Sequence, residues 1–447
     1  MFSVRDILNA SGGRLHSNHR KRPFTGVSID SRTVKKGEIF IAIMGERFDG
    51  HDFIGSALKR GACGIIISRI PDTLPRGATV IMVKDTLTAL GDIAAFHRER
   101  FDIPIVGITG SNGKTSVKEL LFSLLSSKYK VLKNRGTENN FVGLPMTLLG
   151  LSGSHDAAVL ELGASHLGEI GRLTDILKPT IGVITNIGES HLESLRDKKG
   201  VFKAKSEMAL RMAEGSLLVL NGDDPMLSRV KTKCKISKFG LKAHNAFRAT
   251  NIISRRKISF VLNDAYPLTI KAIGRHNVYN ALAAIAAASR FNISIAQIRE
   301  SLADIRPPKM RMEEMRINGI TVINDAYNSN PLSLKSAVEA FSSLEAGGKK
   351  IMVSGDMLEL GKKGRFYHDV AGRIIAKASI DRLITVGELS RYTAKAASKA
   401  GMKGRRLWSC SDTAEAAGIL KDIASSGDTI LIKGSRAMGM ERVTRNL

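Results

Sequence analysis

The chain reads as an α/β protein of three domains: a small α/β domain over residues 1–100, a central parallel sheet of the P-loop ATPase type over 101–307, and a Rossmann-like doubly wound domain over 308–447. Three observations predict this. Short apolar runs with the character of buried strands alternate with segments of helical period along the whole chain. One strand-to-helix junction, Thr109-Gly-Ser-Asn-Gly-Lys-Thr115, carries the glycines and lysine of a phosphate-binding loop. The double proline Pro307-Pro308 then interrupts the periodic pattern and marks the best linker.

Composition bounds the function classes. A chain of 447 residues exceeds one ordinary core, and 43% hydrophobic with 25% charged residues is a soluble globular balance. The longest apolar stretch, Ala281 to Ala288, is too short to span a bilayer. The first residues alternate apolar and charged side chains and lack a secretory core, so the cytoplasm is expected. Cys63, Cys234 and Cys410 are far apart, which argues against a disulfide framework or a thiolate metal site. The net charge of +26 raises nucleic acid as a partner. The cations are spread along the chain, with short clusters at Lys231 to Lys238 and Arg255 to Lys257, and aromatics are only 5%. That distribution favours a solvated surface, and no nucleic-acid partner is expected.

In the first domain, Val27 to Val34 and Gly37 to Gly45 lead into Phe48-Asp-Gly-His-Asp-Phe53, a helix, and the buried strand Gly64 to Ile67. Ser31 and Arg32, beside glycine turns, are placed to hold a phosphate or a base edge. In the second, the apolar run Ile103 to Ile108 precedes the glycine loop, and helical spacing runs from Lys114 to about Ser126. Strand, glycine loop and helix together aim backbone N–H groups and a helix dipole at one point, which suits a polyphosphate. Lys114 adds a positive charge and the Thr115 hydroxyl can ligate Mg²⁺. The loop is a variant, because Ile108 stands five before Gly113 where the strict pattern has glycine.

The strand Ala157 to Leu162 delivers Glu161, and Gly182 to Gly188 runs out towards His191. Both strands end where open α/β sheets collect ligands. For His191 alone, capping or a core role is the plainer reading. Lys203 and Lys205 lie in a helical stretch; snorkelling at the surface is the plain reading, a carbamate that ligates metal the other. Leu217 to Asp224 is a further strand. Asn277 and Asn280 share a face at the start of a helix, where their amides either grip a base edge or cap the turn. In the third domain, strands at Thr321 to Tyr327, Lys350 to Asp356, Arg382 to Gly387 and Thr429 to Gly434 repeat the βα theme.

Thr109 to Thr115, Glu161-Leu-Gly163, Thr185-Asn186 with His191, Ala204-Lys205 and His276-Asn-Val-Tyr-Asn280 occur in the order found in the Mur ligases, and the chain resembles that family throughout. These are ATP-dependent amide-forming enzymes of peptidoglycan precursor synthesis. Asn324-Asp-Ala-Tyr-Asn-Ser-Asn-Pro331, Gly355 to Gly361, Lys433 to Arg436 and Met440-Glu441 resemble segments of the member that adds D-alanyl-D-alanine. Asn324, Ser329 and Met310 depart from the usual Asp, Ala and Gly.

The resemblance implies ligation of D-alanyl-D-alanine to UDP-N-acetylmuramoyl-tripeptide through an acyl phosphate. It implies Lys114, Glu161, His191 and Lys205 as catalytic residues, and ATP held by Thr109, Gly110, Ser111, Asn112, Gly113, Lys114, Thr115, Ser116, Asn277, Asn280, Arg311 and Asp325. Two Mg²⁺ ions would be served by Thr115, Glu161, His191 and a carbamylated Lys205. The UDP-substrate would meet Ser31, Arg32, Gly45, Asp49 and His51, and the dipeptide Asn328, Asn330 and Lys433. A monomer with small-molecule substrates and no membrane insertion is expected. The alternatives are a sister amide ligase, of another Mur step or the folylpolyglutamate type, or a nucleic-acid-dependent P-loop NTPase.

Overall fold

The computed structural model describes residues 2–19, 22–45, 47–71, 77–402 and 404–447. It is α/β, as the alternation of strand and helix patterns predicts, and it divides into two compact units. One holds Met1–Gly107, Lys130–Gly163 and Arg172–Thr180; the other holds Ile108–Tyr129, Ala164–Gly171 and Ile181–Leu447.

The first unit contains a five-stranded sheet in the order Arg14–Ser17, Thr79–Met82, Gly64–Ile67, Ile39–Ile41, Val27–Ser28. The first pair is antiparallel and the others parallel. Successive side chains of a strand point to opposite faces, and here the two faces make two cores. Ile39, Ile41, Ile66 and Ile81 pack with Phe2, Ile7 and Phe24, while Phe40, Ala42, Ile65, Ile67 and Val80 pack with Ile54 and Ala57. Burial on both faces is why Gly64-Ile-Ile-Ile67 reads as an unbroken apolar run. The same unit holds the parallel pair Val131–Lys133 and Ala157–Glu161.

In the second unit, strands follow in the order Tyr266–Ile270, Ile258–Leu262, Phe247–Ser254, Lys235–Gly240, Leu217–Asn221, Ile181–Ile184. The last four are parallel and the first three form an antiparallel meander. Helix His276–Ala288 packs against helix Lys114–Ser126, and its Ala281–Ala288 stretch is core. A six-stranded sheet completes the unit, ordered Glu313–Ile317, Ile320–Asp325, Thr429–Lys433, Lys350–Gly355, Arg382–Val386, Leu407–Cys410. All its pairs are parallel except the first. Four of these six strands are those expected from the sequence; the two edge strands are additional.

After Pro307-Pro308 the backbone turns sharply, with positive φ at Met310 (56°) and Met312 (53°). Among the described residues, no helix is long and apolar enough to cross a membrane. All three cysteines are free; Cys234 and Cys410 are buried and Cys63 is half-buried.

Candidate active site

Strand Ile105–Thr109 ends in the glycine loop, and the chain leaves it as helix Lys114–Ser126. Gly110 has φ 140°, and a Cβ there would lie 2.0 Å from Thr185 Oγ1. Gly113, at φ 82°, caps the helix; a Cβ on it would lie 2.3 Å from Asn280 Oδ1. Both glycines are therefore required by positive φ and by close approach.

The loop is held from the strand Ile181–Ile184 and the residues after it. Ser111 N–H donates to the Asn186 carbonyl (3.0 Å) and Asn112 N–H to Asn186 Oδ1 (3.0 Å). Thr185 Oγ1 and Asn186 Nδ2 both donate to the Asn112 carbonyl, at 2.6 and 3.1 Å. The Ser111 hydroxyl donates to Gly188 O and accepts from Gly188 N–H and Ser190. Thr109 is buried with its carbonyl accepting from Thr185 N–H. This scaffold presents the first helical turn, through Ser116, whose N–H groups no helix can satisfy internally and which favour an anion. Lys114 Nζ curls back over the loop, 3.0 Å from Gly110 O.

Three contacts join this loop region to the segments after Pro308. Arg311 Nη2 donates to Thr115 Oγ1 at 2.9 Å, with its guanidinium 4.1 Å from the Tyr327 ring centroid. The Asn112 and Asn330 amides pair reciprocally: Asn330 Nδ2 donates to Asn112 Oδ1 (2.8 Å) and Asn112 Nδ2 to Asn330 Oδ1 (3.2 Å). His191 Nδ1 lies 2.7 Å from Glu359 Oε2. The His191 hydrogen bond holds Glu359 below the usual carboxylate range.

His191 stands at the start of the short helix Leu192–Leu195 but makes no side-chain cap, so the capping reading is not what it does. Lys205 is 1% exposed with Nζ donating to the Ala164 carbonyl (3.2 Å), which overturns the surface reading for it; Lys203 is exposed and keeps that reading. The strand in the first unit that ends at Glu161 buries that carboxylate, and Asn139 Nδ2 donates to its Oε1 at 2.7 Å. Asn134 clamps the same residue's backbone from both sides.

Asn277 and Asn280 form a chain of amides. Asn280 Nδ2 donates to Asn277 Oδ1 (2.9 Å), and Asn277 Nδ2 to Ile273 O (2.9 Å). Beside them His276 is kept neutral chiefly by burial. The buried Lys433 and the half-buried Asp325 form an ion pair at 2.6 Å, Lys433 also donating to Asn328 O (3.0 Å). Asn328 Oδ1 accepts from Ser329 N–H, while Asn330 caps helix Pro331–Ser342 through Ser333 N–H.

Within the first unit, Arg32 follows Ser31 in a turn and grips Asp30 in a two-point fork at 2.9 and 2.7 Å; that hydrogen bonding lowers the Asp30 pKa to about 2. His51 is buried with both ring nitrogens engaged. Ser68 N–H donates to Nε2 (3.1 Å), so Nδ1 carries the proton and donates to Asp49 Oδ1 (2.6 Å). Burial works to raise the Asp49 pKa, but hydrogen bonds from Arg69 and His51 outweigh it and leave the group lowered. Gly45 N–H donates to the carbonyl of the exposed Phe48.

The residues read from sequence do not include Asn134 and Asn139, and Glu359 had no role there. No periodic pattern announces such partners; only the polar run Asn134 to Asn140, unusual between two apolar elements, hints at them. Among the described residues no three His, Cys, Asp or Glu side chains cluster as a metal site. The expected donors, a hydroxyl, a carboxylate, an imidazole and a modified lysine, are of a different kind. Their chemistry nonetheless fits. The Nδ1 contact with Glu359 leaves the Nε2 lone pair of His191 for a ligand, and a carbamate on Lys205 would keep an N–H for Ala164 O.

Comparison with known proteins covers nearly the whole chain. Models described as the Mur ligase family catalytic domain, the Mur ligase middle domain and the Mur ligase glutamate ligase domain match residues 23–98, 108–288 and 310–436. The chain is 35% identical to the UDP-N-acetylmuramoyl-tripeptide--D-alanyl-D-alanine ligase of Bacillus subtilis, covering 100% of this chain and 98% of that protein. It is 35% identical to the ligase of the same name from Escherichia coli, covering 94% and 93%. A crystal structure of MurF from Acinetobacter baumannii superposes with TM-score 0.92 at 29% identity over 100% and 98% of the two chains. That of MurF ligase from Thermotoga maritima in complex with ADP gives 0.84 at 27% identity over 94% and 96%.

Proposed function

The chain belongs to the Mur ligase family, and from that premise we propose that it joins D-alanyl-D-alanine to UDP-N-acetylmuramoyl-tripeptide with hydrolysis of ATP to ADP and phosphate. The observation that carries the reading is the loop Gly110 to Ser116, braced by Thr185 and Asn186 and approached by Arg311.

A carboxylate oxygen of the tripeptide attacks the γ-phosphorus of ATP, ADP leaves, and an acyl phosphate results. The dipeptide amine attacks the acyl carbon, loses a proton, and the tetrahedral intermediate expels phosphate. Side chains here position and neutralise rather than form bonds. Lys114, released from the loop carbonyls, neutralises the β- and γ-phosphates. The helix N-terminus at Gly113 to Ser116 holds phosphate oxygens, and Asn277 and Asn280 face the base. Arg311, moved off Thr115, and Asp325 hold ribose and phosphates.

Thr115 and Glu161 are the proposed ligands of one Mg²⁺, His191 and a carbamylated Lys205 those of a second. When bound, the metals supply charge neutralisation for the transferring phosphoryl group and the acceptor carboxylate. Asn139 fixes the Glu161 carboxylate. Residues 1–100 take the UDP moiety, with Ser31, Arg32 and Gly45 at the ligand and His51 holding Asp49 in place. Residues 101–307 take ATP, and residues 308–447 take the dipeptide, with Asn328, Asn330 and Lys433 shaping its pocket. We place the enzyme in the cytoplasm as a monomer.

Phosphate release with MgATP, UDP-N-acetylmuramoyl-tripeptide and one acceptor at a time tests this, with products weighed by mass spectrometry. Phosphate accompanied by a UDP-linked pentapeptide, with D-alanyl-D-alanine alone among the acceptors, is the expected result. Turnover only with single amino acids would reassign the step within the family.

A further inference from the structure

Two residues with left-handed backbone meet across this part of the molecule. His191 has φ 51° and Glu359 has φ 61°, in the left-handed region that His enters more readily than most residues but Glu seldom occupies. Such conformations persist where surrounding contacts over-determine them, and they gather at functional sites. Here the contacts can be named. The Glu359 carbonyl accepts from Glu193 N–H at 3.0 Å, two residues beyond the imidazole in sequence. Two residues on, Gly361 has φ 53°, and a Cβ there would lie 3.2 Å from Glu193 Cα, so glycine suits both the left-handed backbone and the close approach of the segment Gly355 to Gly361 to the short helix. The Glu359 carboxylate then reaches His191 Nδ1 at 2.7 Å, with Ser165 Oγ at 3.5 Å behind it.

A carboxylate can only accept at that distance, so Nδ1 carries the proton. In the neutral ring the lone pair then lies on Nε2, and among the described residues Nε2 has no hydrogen-bond partner. An imidazole so held is the form that ligates a metal, and outer carboxylates of this type fix the tautomer and raise ligand basicity. The geometry points to Glu359 as the positioning residue that fixes the Nε2-ligating tautomer of His191 and thereby the affinity of the second metal site. Glu359 itself touches neither substrate nor metal. Because it comes from a segment far along the chain, the site is complete only while that segment is seated on the helix Leu192–Leu195. This rests on the assignment of His191 as a metal ligand, and deepens it.

The test separates the two. ¹⁵N-histidine-labelled protein reports the His191 tautomer by long-range ¹⁵N–¹H correlation, assigned through the loss of its signals in His191→Gln. Mn²⁺ binding in the presence of ADP is followed by electron paramagnetic resonance. The full chain is compared with Glu359→Gly, which suits φ 61° and removes the carboxylate, and Glu359→Gln, which keeps an acceptor oxygen. We expect the wild type to show protonated Nδ1 with bare Nε2, Glu359→Gly to mix tautomers and weaken Mn²⁺ about ten- to a hundredfold, and Glu359→Gln to recover most of both. An unchanged tautomer in Glu359→Gly overturns the proposal whatever Mn²⁺ does. A changed tautomer with unchanged Mn²⁺ affinity overturns it too, by removing His191 from the metal site. Phosphate release by the wild type with its two substrates stands apart from all three outcomes and judges the proposed function alone.

Discussion

At the scale of single residues, the phosphate loop depends on atoms that are not there. A methyl on Gly113 would collide with the Asn280 amide and force an L-residue to φ 82°, which alone costs about 1–2 kcal/mol. Gly113→Ala should lower unfolding stability by roughly that amount in denaturant titrations and raise KM for ATP at least about tenfold, each 1.4 kcal/mol of lost binding being a factor of ten. Met310 is the opposite case, a side chain where φ is 56°. Met310→Gly relieves that strain, gives up the Arg436 contact to Met310 Sδ, and should raise stability by about 0.5–1 kcal/mol. The departure from the family's usual glycine at 310 is thus a tolerated cost at a turn. Lys114, Thr115 and the loop glycines were legible in the sequence because their relation is local: four residues between a strand and a helix fix their own geometry. The meetings of Asn139 with Glu161, Asn112 with Asn330 and His191 with Glu359 were not, because each joins residues far apart in the chain whose side chains follow no period. The burial of Lys205 was hidden for the same reason. A lysine in an amphipathic stretch looks like surface until the residue facing it, Ala164, is known.

Among the elements, the C-terminal sheet shows how packing and chemistry share residues. Asp325 and Lys433 are register partners on neighbouring parallel strands, and the same backbone pairing that aligns Ile323 with Leu431 brings their charges together. Lys433 is 1% exposed, so its removal leaves the half-buried Asp325 carboxylate with the Met312 N–H but without its cation, beside the buried His276. Breaking a buried pair from one side costs about 3–5 kcal/mol. Lys433→Ala should lose about 3 kcal/mol in equilibrium unfolding, while the exposed pair Lys335–Glu339 should contribute under about 0.5 kcal/mol when broken. The strands of this sheet were readable because burial on both faces makes them continuous apolar runs, as in Ile351-Met-Val353 and Ile430-Leu-Ile432. The meander Phe247–Leu262 and its neighbours were not. Lys235, Lys238, Arg248 and Arg255 to Lys257 interleave with Ile and Phe there, and a half-exposed antiparallel ribbon gives no strong apolar signal.

Over the whole molecule, the shifted histidines and carboxylates push one way, towards lower stability in acid. His97, His276 and His368 are kept neutral mainly by burial, so their pKa values lie below the unfolded value near 6.5. The unfolded chain then binds protons the native one refuses, and stability falls as pH drops below about 6.5. Asp30, Asp49, Asp223 and Glu359 are lowered carboxylates, whose stabilisation is present above their unfolded values and is lost as pH falls from about 4. Denaturation midpoints measured at falling pH should show two successive losses, and His368→Gln should flatten the first. The charge of +26 acts on a substrate that carries phosphates. kcat/KM for the UDP-linked tripeptide should fall as NaCl is raised while kcat holds, because a screened field slows encounter rather than chemistry. Burial pushes the Cys410 thiol up to about 11 and Cys234 is enclosed, whereas Cys63 keeps partial access to solvent. A thiol-directed dye added to the native enzyme should therefore attach at Cys63 first, and the other two should react only in denaturant. The natural chain already offers a single-site fluorescent handle in its N-terminal portion, with no cysteine to remove.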